Sequence, residues 1–252
     1  MDFVVVSVAS LFAGFVDAIV GGGGLILVPA LFATFPAAHP ATLFGTNKAA
    51  SVWGTAFATW QYSHRVALRW PALWPAVLAG LLASLTGAWL VTRVSPDFLR
   101  KLLPLVLLLV LIYTFFKKEL GRQHAPRFAG LQEQWIAAGI GLIIGFYDGF
   151  FGPGAGSFLV FLFVRLLGYD FLHASAAAKW VNTATNVAAL SLFIAKGHIW
   201  WHFVLVMALA NVLGSFLGTR MALRHGAGFV RGVFLLVVSA LILKTGADAF
   251  VR

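Results

Sequence analysis

The sequence predicts an all-α polytopic membrane protein with about eight to ten membrane segments, built from two tandem repeats. Three observations predict this fold class. Hydrophobic residues make up 61% of the 252 positions and charged residues only 10%, whereas roughly a quarter of a soluble domain is charged. Long apolar runs are separated by short polar gaps. A shift that places Asp17 on Asp148 and Lys48 on Lys179 aligns the two halves without a gap.

Each apolar run of about 20 residues is long enough to cross the hydrocarbon core as one helix. The runs lie at about 3–35, 42–62, 71–92, 98–116, 134–168, 174–195, 199–223 and 229–247. The longest polar gap follows the fourth run and contains Lys117, Lys118, Arg122 and Arg127. We therefore predict one membrane domain over 1–252. Its parts are repeat 1 at about 3–116, a linker at about 117–132 and repeat 2 at about 134–247.

The first run of each repeat is too long for one straight span. About 33 residues would extend about 50 Å as a helix, well beyond a core of about 30 Å. Glycines interrupt both runs midway, at 21–24 and within 152–156, and a membrane helix breaks at glycine or proline. Each repeat is therefore expected to open with a discontinuous helix or with a hairpin of two short helices.

The choice between these alternatives changes the predicted topology. If each first run crosses once, Lys and Arg divide about nine to seven between the two sides; if it turns back, they divide about ten to six, with the N-terminus outside. The larger bias favours the hairpin. It also makes the repeats antiparallel, which is the inverted plan common among secondary transporters.

The net charge of +10 does not indicate nucleic-acid binding, because Lys and Arg lie in short gaps between apolar runs rather than on one basic face. We interpret these gaps as loops that face anionic lipid headgroups. The lack of cysteine excludes disulfides and thiolate metal sites. His198 and His202 have the i, i+4 spacing of a metal pair, but no third ligand is evident. We predict neither a metal nor a cofactor.

Four ionisable residues lie deep in apolar runs: Asp17, Lys48, Asp148 and Lys179. Each charge would cost about 2.5–3.5 kcal/mol at the bilayer centre if it were unpaired. They must therefore pair inside the protein or line a wet cavity. One interpretation is two Asp–Lys pairs that only fix helix packing. The functional interpretation is favoured because both charges recur in each repeat and flank the glycine breaks.

The glycine breaks themselves predict anion contacts. After each break a new half-helix begins inside the membrane, with unpaired N–H groups and partial positive charge at its start. Polar residues near the two lysines add further donors, although such residues also serve as hydrogen bonds between helices. The candidate substrate-binding residues are Lys48, Lys179, Thr46, Asn47, Ser51, Asn182, Asn186, Gly22, Gly23, Gly24, Gly154, Ala155 and Gly156.

Asp17 and Asp148 are the candidate coupling residues. Two aspartates and two lysines make a neutral pocket, which does not attract an anion by net charge. Protonation of one aspartate would make the pocket positive. This motivates a hypothesis of proton coupling; a structural salt bridge is the alternative.

Three segments resemble the TauE/SafE family of sulfite exporters, or DUF81-type permeases: GFVDAIVGGGGLILVPAL at 14–31, TLFGTNKAAS at 42–51 and the degenerate copy GFYDGFFGPGAGSFLV at 145–160. The resemblance implies a bacterial inner-membrane transporter of sulfite, sulfonates and related sulfur anions. The positions that it marks are Asp17, Gly21 to Gly24, Pro29, Asn47, Lys48, Asp148, Gly152, Pro153, Gly154, Gly156, Lys179 and Asn182. Ala178 stands opposite Asn47 and Val160 opposite Pro29, so the expected pocket is asymmetric.

Together these features predict a secondary transporter, rather than an enzyme, that moves a small anion by alternating access. Its expected partners are the small anion and the surrounding membrane lipids. A passive anion channel is an open alternative. An intramembrane aspartyl enzyme that uses Asp17 and Asp148 is a further one, although the sequence lacks the GxGD motif. The identity of the anion, the direction of transport, the coupling ion and assembly as a homodimer stay open.

Overall fold

The computed structural model describes residues 1–99 and 124–250, with side chains described as far as Val230 and at 232–233. Over these residues the chain is helical and contains no strands. Most of the predicted run at 98–116 and of the linker lies outside the described residues. The helices are α1 (Asp2–Val20), α2 (Gly24–Thr34), α3 (Pro40–Ser63), α4 (Trp70–Val91), α5 (Gly130–Phe150), α6 (Ala155–Leu162), α7 (Phe171–Ala195) and α8 (Trp201–Phe250). A π-helical turn, Phe163–Leu167, follows α6, and α8 has a non-helical residue at Gly226.

The surface of this helical assembly is apolar. Among the described residues, α1, α4 and Trp201–Val230 of α8 are long and apolar enough to cross a membrane. Large hydrophobic side chains such as Leu82, Ile143 and Leu205 point outward. Exposed apolar surface on this scale is typical of a protein that contacts lipid rather than water. The predicted class, an all-α polytopic membrane protein, is confirmed.

Equivalent helices of the two halves begin at the same spacing. Helix α2 begins at Gly24 and α6 at Ala155, a difference of 131 residues (155 minus 24). The pairs α3 and α7, and α4 and α8, begin at the same offset. It is also the offset at which the sequence matches itself.

Each glycine-interrupted run folds as a hairpin. The outer ends of α1 and α2 meet, because Phe3 and Phe35 both pack on Phe203, with ring centroids 4.4 and 5.1 Å away. The outer ends of α5 and α6 also meet, since the Tyr169 hydroxyl, just beyond α6, donates to Glu133 in the first turn of α5.

The outer ends of the two hairpins lie at opposite ends of α3. Helix α3 begins beside the outer end of the first hairpin, where Thr46 accepts a hydrogen bond from the Trp200 amide. We call this end the N-terminal face. Helix α3 finishes near Arg69, whose guanidinium bonds Glu133 at the outer end of the second hairpin. We call that end the opposite face. The hairpin tips touch inside the protein, where the Ser157 amide donates to the Gly21 carbonyl.

The halves are interlocked. Helix α1 packs along α8, and α5 packs along α4, so the first helix of each half lies on the equivalent helix, starting at Trp201 or Trp70, of the other half. Glycines make these contacts close: a Cβ at Gly141 would lie 2.2 Å from the Ala76 carbonyl oxygen, and one at Gly149 would lie 2.1 Å from that of Ser84. Small residues at membrane helix interfaces permit this backbone approach.

Candidate transport site

A small cavity lies where the two hairpin tips meet α3, α7 and α8. It offers about 30 Å³ to water-sized occupants, which is room for one or two waters. It is therefore smaller than a four-atom oxyanion. The lining residues are Ala13, Asp17, Gly21, Gly23, Gly24, Leu27, Asn47, Lys48, Ser51, Thr55, Asp148, Gly152, Gly156, Asn182, Asn186 and Asn211.

Lys48 forms the first charged cluster. Its Nζ lies 2.7 Å from Asp148 Oδ1 and donates to Asn186 Oδ1 at 2.8 Å. All three side chains are buried. Because Lys48 belongs to the first half and Asp148 and Asn186 to the second, this ion pair joins the two halves.

Lys179 forms the second cluster, with its partners exchanged between the halves. Its Nζ donates to Asp17 Oδ2 at 2.8 Å. The Thr55 hydroxyl lies 3.2 Å from the same oxygen and 3.0 Å from the Ser51 carbonyl oxygen, so its single proton can go to either acceptor. Lys179 is buried beside the cavity rather than in its lining. The sequence predicted that the four charges had to pair or face a cavity. All four are paired, each lysine with the aspartate of the other half, and Asp17, Lys48 and Asp148 also line the cavity.

The positions of the aspartates explain why they need lysines. Asp17 and Asp148 lie in the last turns of α1 and α5, where the helix dipole disfavours negative charge. The chain then turns sharply through Gly21 and Gly152, whose φ angles are +77° and +96°. Such angles favour glycine, so the turns end each helix just after its carboxylate.

The two clusters differ at one equivalent position. Asn186 in the second half corresponds to Thr55 in the first, at the same offset as the helix starts. Asn186 accepts a hydrogen bond from Lys48, whereas Thr55 offers its hydroxyl to Asp17 or to the Ser51 carbonyl. Asp17 Oδ2 therefore has Lys179 as a donor and the Thr55 hydroxyl within reach as a second. Asp148 Oδ2 has no hydrogen-bond partner, although it is buried.

A second acceptor without a partner lies in the same cavity. Asn47 Oδ1 is buried and makes no hydrogen bond, and Asn47 precedes Lys48 in the chain. Buried polar atoms without partners are uncommon and costly. Two such acceptors in one cavity indicate that a water, a proton or another donor belongs there.

The predicted residues divide between the cavity and its surroundings. Ser51, Asn182, Gly23, Gly24 and Gly156 line the cavity together with Asn47, Lys48 and Asn186. Gly22, Gly154 and Ala155 lie outside the lining. Thr46 also lies outside it: its hydroxyl donates to the Thr42 carbonyl and accepts from the Trp200 amide, which joins α3 to the start of α8.

Asn211 is a cavity residue that was not among those predicted from the sequence. This residue lines the cavity from α8, and its side-chain nitrogen donates to the Ser10 carbonyl at 3.0 Å. Its signal was available, since it is a lone amide in the long apolar run 199–223. A polar residue at such a position usually faces the bundle interior.

A second polar cluster lies on the opposite face, away from the cavity. The ligand atoms of His124, Asp170 and His173 lie within 4.8 Å of one another, close enough to hold a metal ion. Asp170, however, caps α7 by accepting from the His173 amide and also bonds the His173 ring. Capping explains the cluster without a metal. Burial, then the neighbouring His173, lowers the pKa of His124.

Comparison with known proteins identifies the family of this cavity-bearing fold. The family model described as sulfite exporter TauE/SafE matches residues 6–245. The chain belongs to the TauE/SafE family. This membership makes it a multi-pass membrane protein of a transporter family, as the sequence predicted. No solved structure gives a significant match.

Relatives of this TauE/SafE protein are described as transporters. The probable membrane transporter protein YfcA of Escherichia coli K12 is 35% identical over 241 residues, covering 95% of this chain and 88% of its own length. The probable membrane transporter protein ORF9 of a Sinorhizobium species is 35% identical over 242 residues, covering 96% and 91%. The probable membrane transporter protein YunE of Bacillus subtilis is 20% identical, covering 97% and 98%.

Proposed function

We propose that this protein is a secondary transporter of a small oxyanion, sulfite or an organosulfonate, in the bacterial inner membrane. The family and its buried charged cavity support this proposal. The observation that carries it is the pairing of Lys48: its ammonium lies in the cavity lining, 2.7 Å from one oxygen of Asp148. An oxyanion that enters the cavity can take over this ammonium as its counter-charge.

Lys48 and the nearby amides provide the substrate contacts in this proposal. Ser51 and Asn182 can donate from the walls, and the start of α2 at Gly23 and Gly24 adds backbone N–H groups and a positive dipole end. Lys179 acts from behind the lining by holding Asp17. Lys48, the lysine of the first half, is therefore the primary contact for the anion. The neighbouring Asn47, which has Ala178 at the equivalent position of the second half, makes the site asymmetric in the same sense.

Proton coupling follows from what the anion does to Asp148. When the anion takes Lys48, Asp148 loses its counter-charge, and a buried carboxylate without one binds a proton more readily. Its free Oδ2 can accept that proton, and the free Asn47 Oδ1 in the same cavity can accept the resulting hydrogen bond. Anion and proton then favour each other's binding, as linkage requires.

Alternating access is proposed because the cavity is smaller than its substrate, so the site has to widen before an anion can bind. The two hairpins enter from opposite faces and meet at their tips, so withdrawal of one tip would open the cavity to one face. Each aspartate pairs with its own lysine, an arrangement that favours transport over an aspartyl enzyme, in which two carboxylates share a proton.

Uptake into proteoliposomes tests this function. The purified protein is reconstituted, and uptake of sulfite, thiosulfate, sulfoacetate and chloride is followed with and without an imposed pH gradient. We expect saturable uptake of a sulfur anion that an inward proton gradient accelerates. Transport of another anion with no sulfur anion accepted would contradict the substrate class, and flux that neither saturates nor responds to pH would indicate a passive channel.

A further inference from the structure

A basic groove lies on the opposite face, between the end of α3 and the outer part of α8. It encloses about 780 Å³, and its lining includes Trp60, Gln61, Arg65, Phe216, Arg220 and Arg224. This groove is separate from the buried cavity and shares no lining residue with it. We propose that the groove binds the headgroup and upper acyl chain of an anionic phospholipid.

The arginines lie at the depth of a lipid headgroup. Arg220 is 19 residues beyond Trp201, the first residue of α8, so it lies about 28 Å along the helix, close to the ~30 Å thickness of the hydrocarbon core. Arg65 lies two residues beyond Ser63, where α3 ends. With Trp201 at one boundary of the membrane, the groove lies at the other.

The charge of the groove is uncompensated. Arg220 and Arg224 are one helical turn apart on α8, and Arg65 approaches from α3. Within the described part of the chain, none of these guanidinium groups pairs with a carboxylate. Guanidinium groups bind phosphate through paired, charge-assisted hydrogen bonds, and three exposed ones line this groove.

The rest of the groove fits a lipid rather than a free anion. Trp60 and Phe216 form apolar walls, and each is also exposed on the outer surface, 58% and 39% respectively. Along α8 this surface continues through the exposed Leu213 and Leu217. A phosphate held by the arginines would therefore have its acyl chain on a continuous apolar face. Basic pockets between membrane helices bind anionic headgroups in this way.

One buried atom points to the kind of headgroup. Gln61 lines the groove, and its side-chain oxygen Oε1 is buried and has no hydrogen-bond partner. A headgroup that carries hydroxyl groups, such as the glycerol of phosphatidylglycerol, would supply a donor for it. Choline would not, because it has no N–H or O–H group.

The test compares lipid binding by charge-matched variants. Purified protein in a neutral detergent is titrated with phosphatidylglycerol, phosphatidylcholine or inorganic phosphate, and bound lipid is counted by native mass spectrometry while the melting temperature is followed. The test variant is Arg220→Gln/Arg224→Gln. The control, Arg93→Gln/Arg165→Gln, removes two arginines outside the groove; Arg93 stacks on Trp89. Arg220→Lys/Arg224→Lys keeps the charge if the glutamine variant folds poorly.

We expect wild type and the control to bind phosphatidylglycerol at least about tenfold more tightly than phosphatidylcholine. The glutamine variant should lose this preference, and the lysine variant should keep most of it. Equal loss in the control would show that only net charge matters and would overturn the site. Stabilisation by inorganic phosphate as strong as that by phosphatidylglycerol would replace the lipid with a free anion. An unchanged preference in the glutamine variant would also overturn the proposal.

Discussion

Lys48 and Asp148 belong to opposite halves of the chain, and their charged atoms lie 2.7 Å apart at the edge of a buried cavity. Lys179 of the second half pairs with Asp17 of the first half, with their charged atoms 2.8 Å apart. The two ion pairs therefore link the halves where the hairpin tips meet. A movement that separates the halves at this point has to break or exchange these pairs. The proposed opening of the cavity would therefore depend on the charges that the cavity holds.

Removal of Lys48 alone should destabilise the protein more than removal of both charges. Lys48→Met leaves the Asp148 carboxylate buried without a counter-charge, a loss of roughly 3–5 kcal/mol. Lys48→Met/Asp148→Asn has no buried charge at this site and should recover most of that stability. Thermal unfolding in detergent measures the difference. A double variant that loses as much as the two single variants combined would show that the pair is not coupled.

The two aspartates should differ in their effect on pH dependence. Asp148→Asn should make organosulfonate uptake insensitive to an imposed proton gradient, because the proposed proton acceptor is gone. Asp17→Asn, the matched change in the other half, should slow uptake and keep its response to the gradient. An organosulfonate is the suitable probe because its charge is constant across the pH series. Normal gradient-driven uptake by Asp148→Asn would remove this residue from the coupling step.

Close helix packing predicts a sharp contrast within α5. A Cβ at Gly141 would lie 2.2 Å from the Ala76 carbonyl oxygen, whereas one at Gly139 would meet nothing within 4 Å. Gly141→Ala should therefore separate α4 from α5 and cost about 1–3 kcal/mol or more. Gly139→Ala should be neutral or slightly stabilising, since alanine favours a helix. Melting temperatures of the two variants check this, and equal values would contradict the packing.

The segment at His124 should loosen in acid. Burial, then His173, lowers the pKa of His124 from 6.5. The segment that begins at His124 is docked when its amides bond Gly168 and Leu167. It therefore binds a proton more readily when it is released than when it is docked. Docking is then fully stable above pH 6.5 and weakens as the pH falls below it. Amide hydrogen exchange at Ala125 and Arg127, whose N–H groups bond Gly168 and Leu167, reports the docking.

The His124→Gln variant is the control for this acid effect. It has no titrating ring, so the protection factors of the Ala125 and Arg127 amides, from which the intrinsic pH dependence of exchange has been divided out, should depend much less on pH in this range. If the variant shows the same acid response as wild type, another group is responsible for it.

The sequence was informative where a charge in an apolar run would cost free energy and where glycines interrupt a run that is too long for one membrane span. Buried charges require partners, so Asp17, Lys48, Asp148 and Lys179 could be singled out from cost alone. The glycine breaks predicted interrupted helices because an uninterrupted run was too long. The division into two inverted repeats stays a prediction, which the common offset of the helix starts and the opposed hairpins support.

Tertiary geometry supplied what the sequence could not. No local pattern indicates that each lysine pairs with the aspartate of the other half, since this depends on how α3 and α7 lie between the hairpins. Thr46 resembled the other polar neighbours of Lys48, but on a helix it faces another direction and bonds Trp200. The free oxygens of Asn47 and Asp148 follow from distances that only the folded chain defines.

Counterflow of an organosulfonate through Lys48→Met/Asp148→Asn tests the central claim most directly, because this variant removes the proposed anion contact without leaving a charge unpaired. Proteoliposomes loaded with unlabelled anion are given labelled anion outside, so exchange is measured without a proton gradient. We predict rapid exchange by wild type and a loss of at least about a hundredfold in a folded variant, as expected when a buried charge contact of roughly 3 kcal/mol disappears. Exchange at the wild-type rate would contradict the role of Lys48 as the anion's counter-charge.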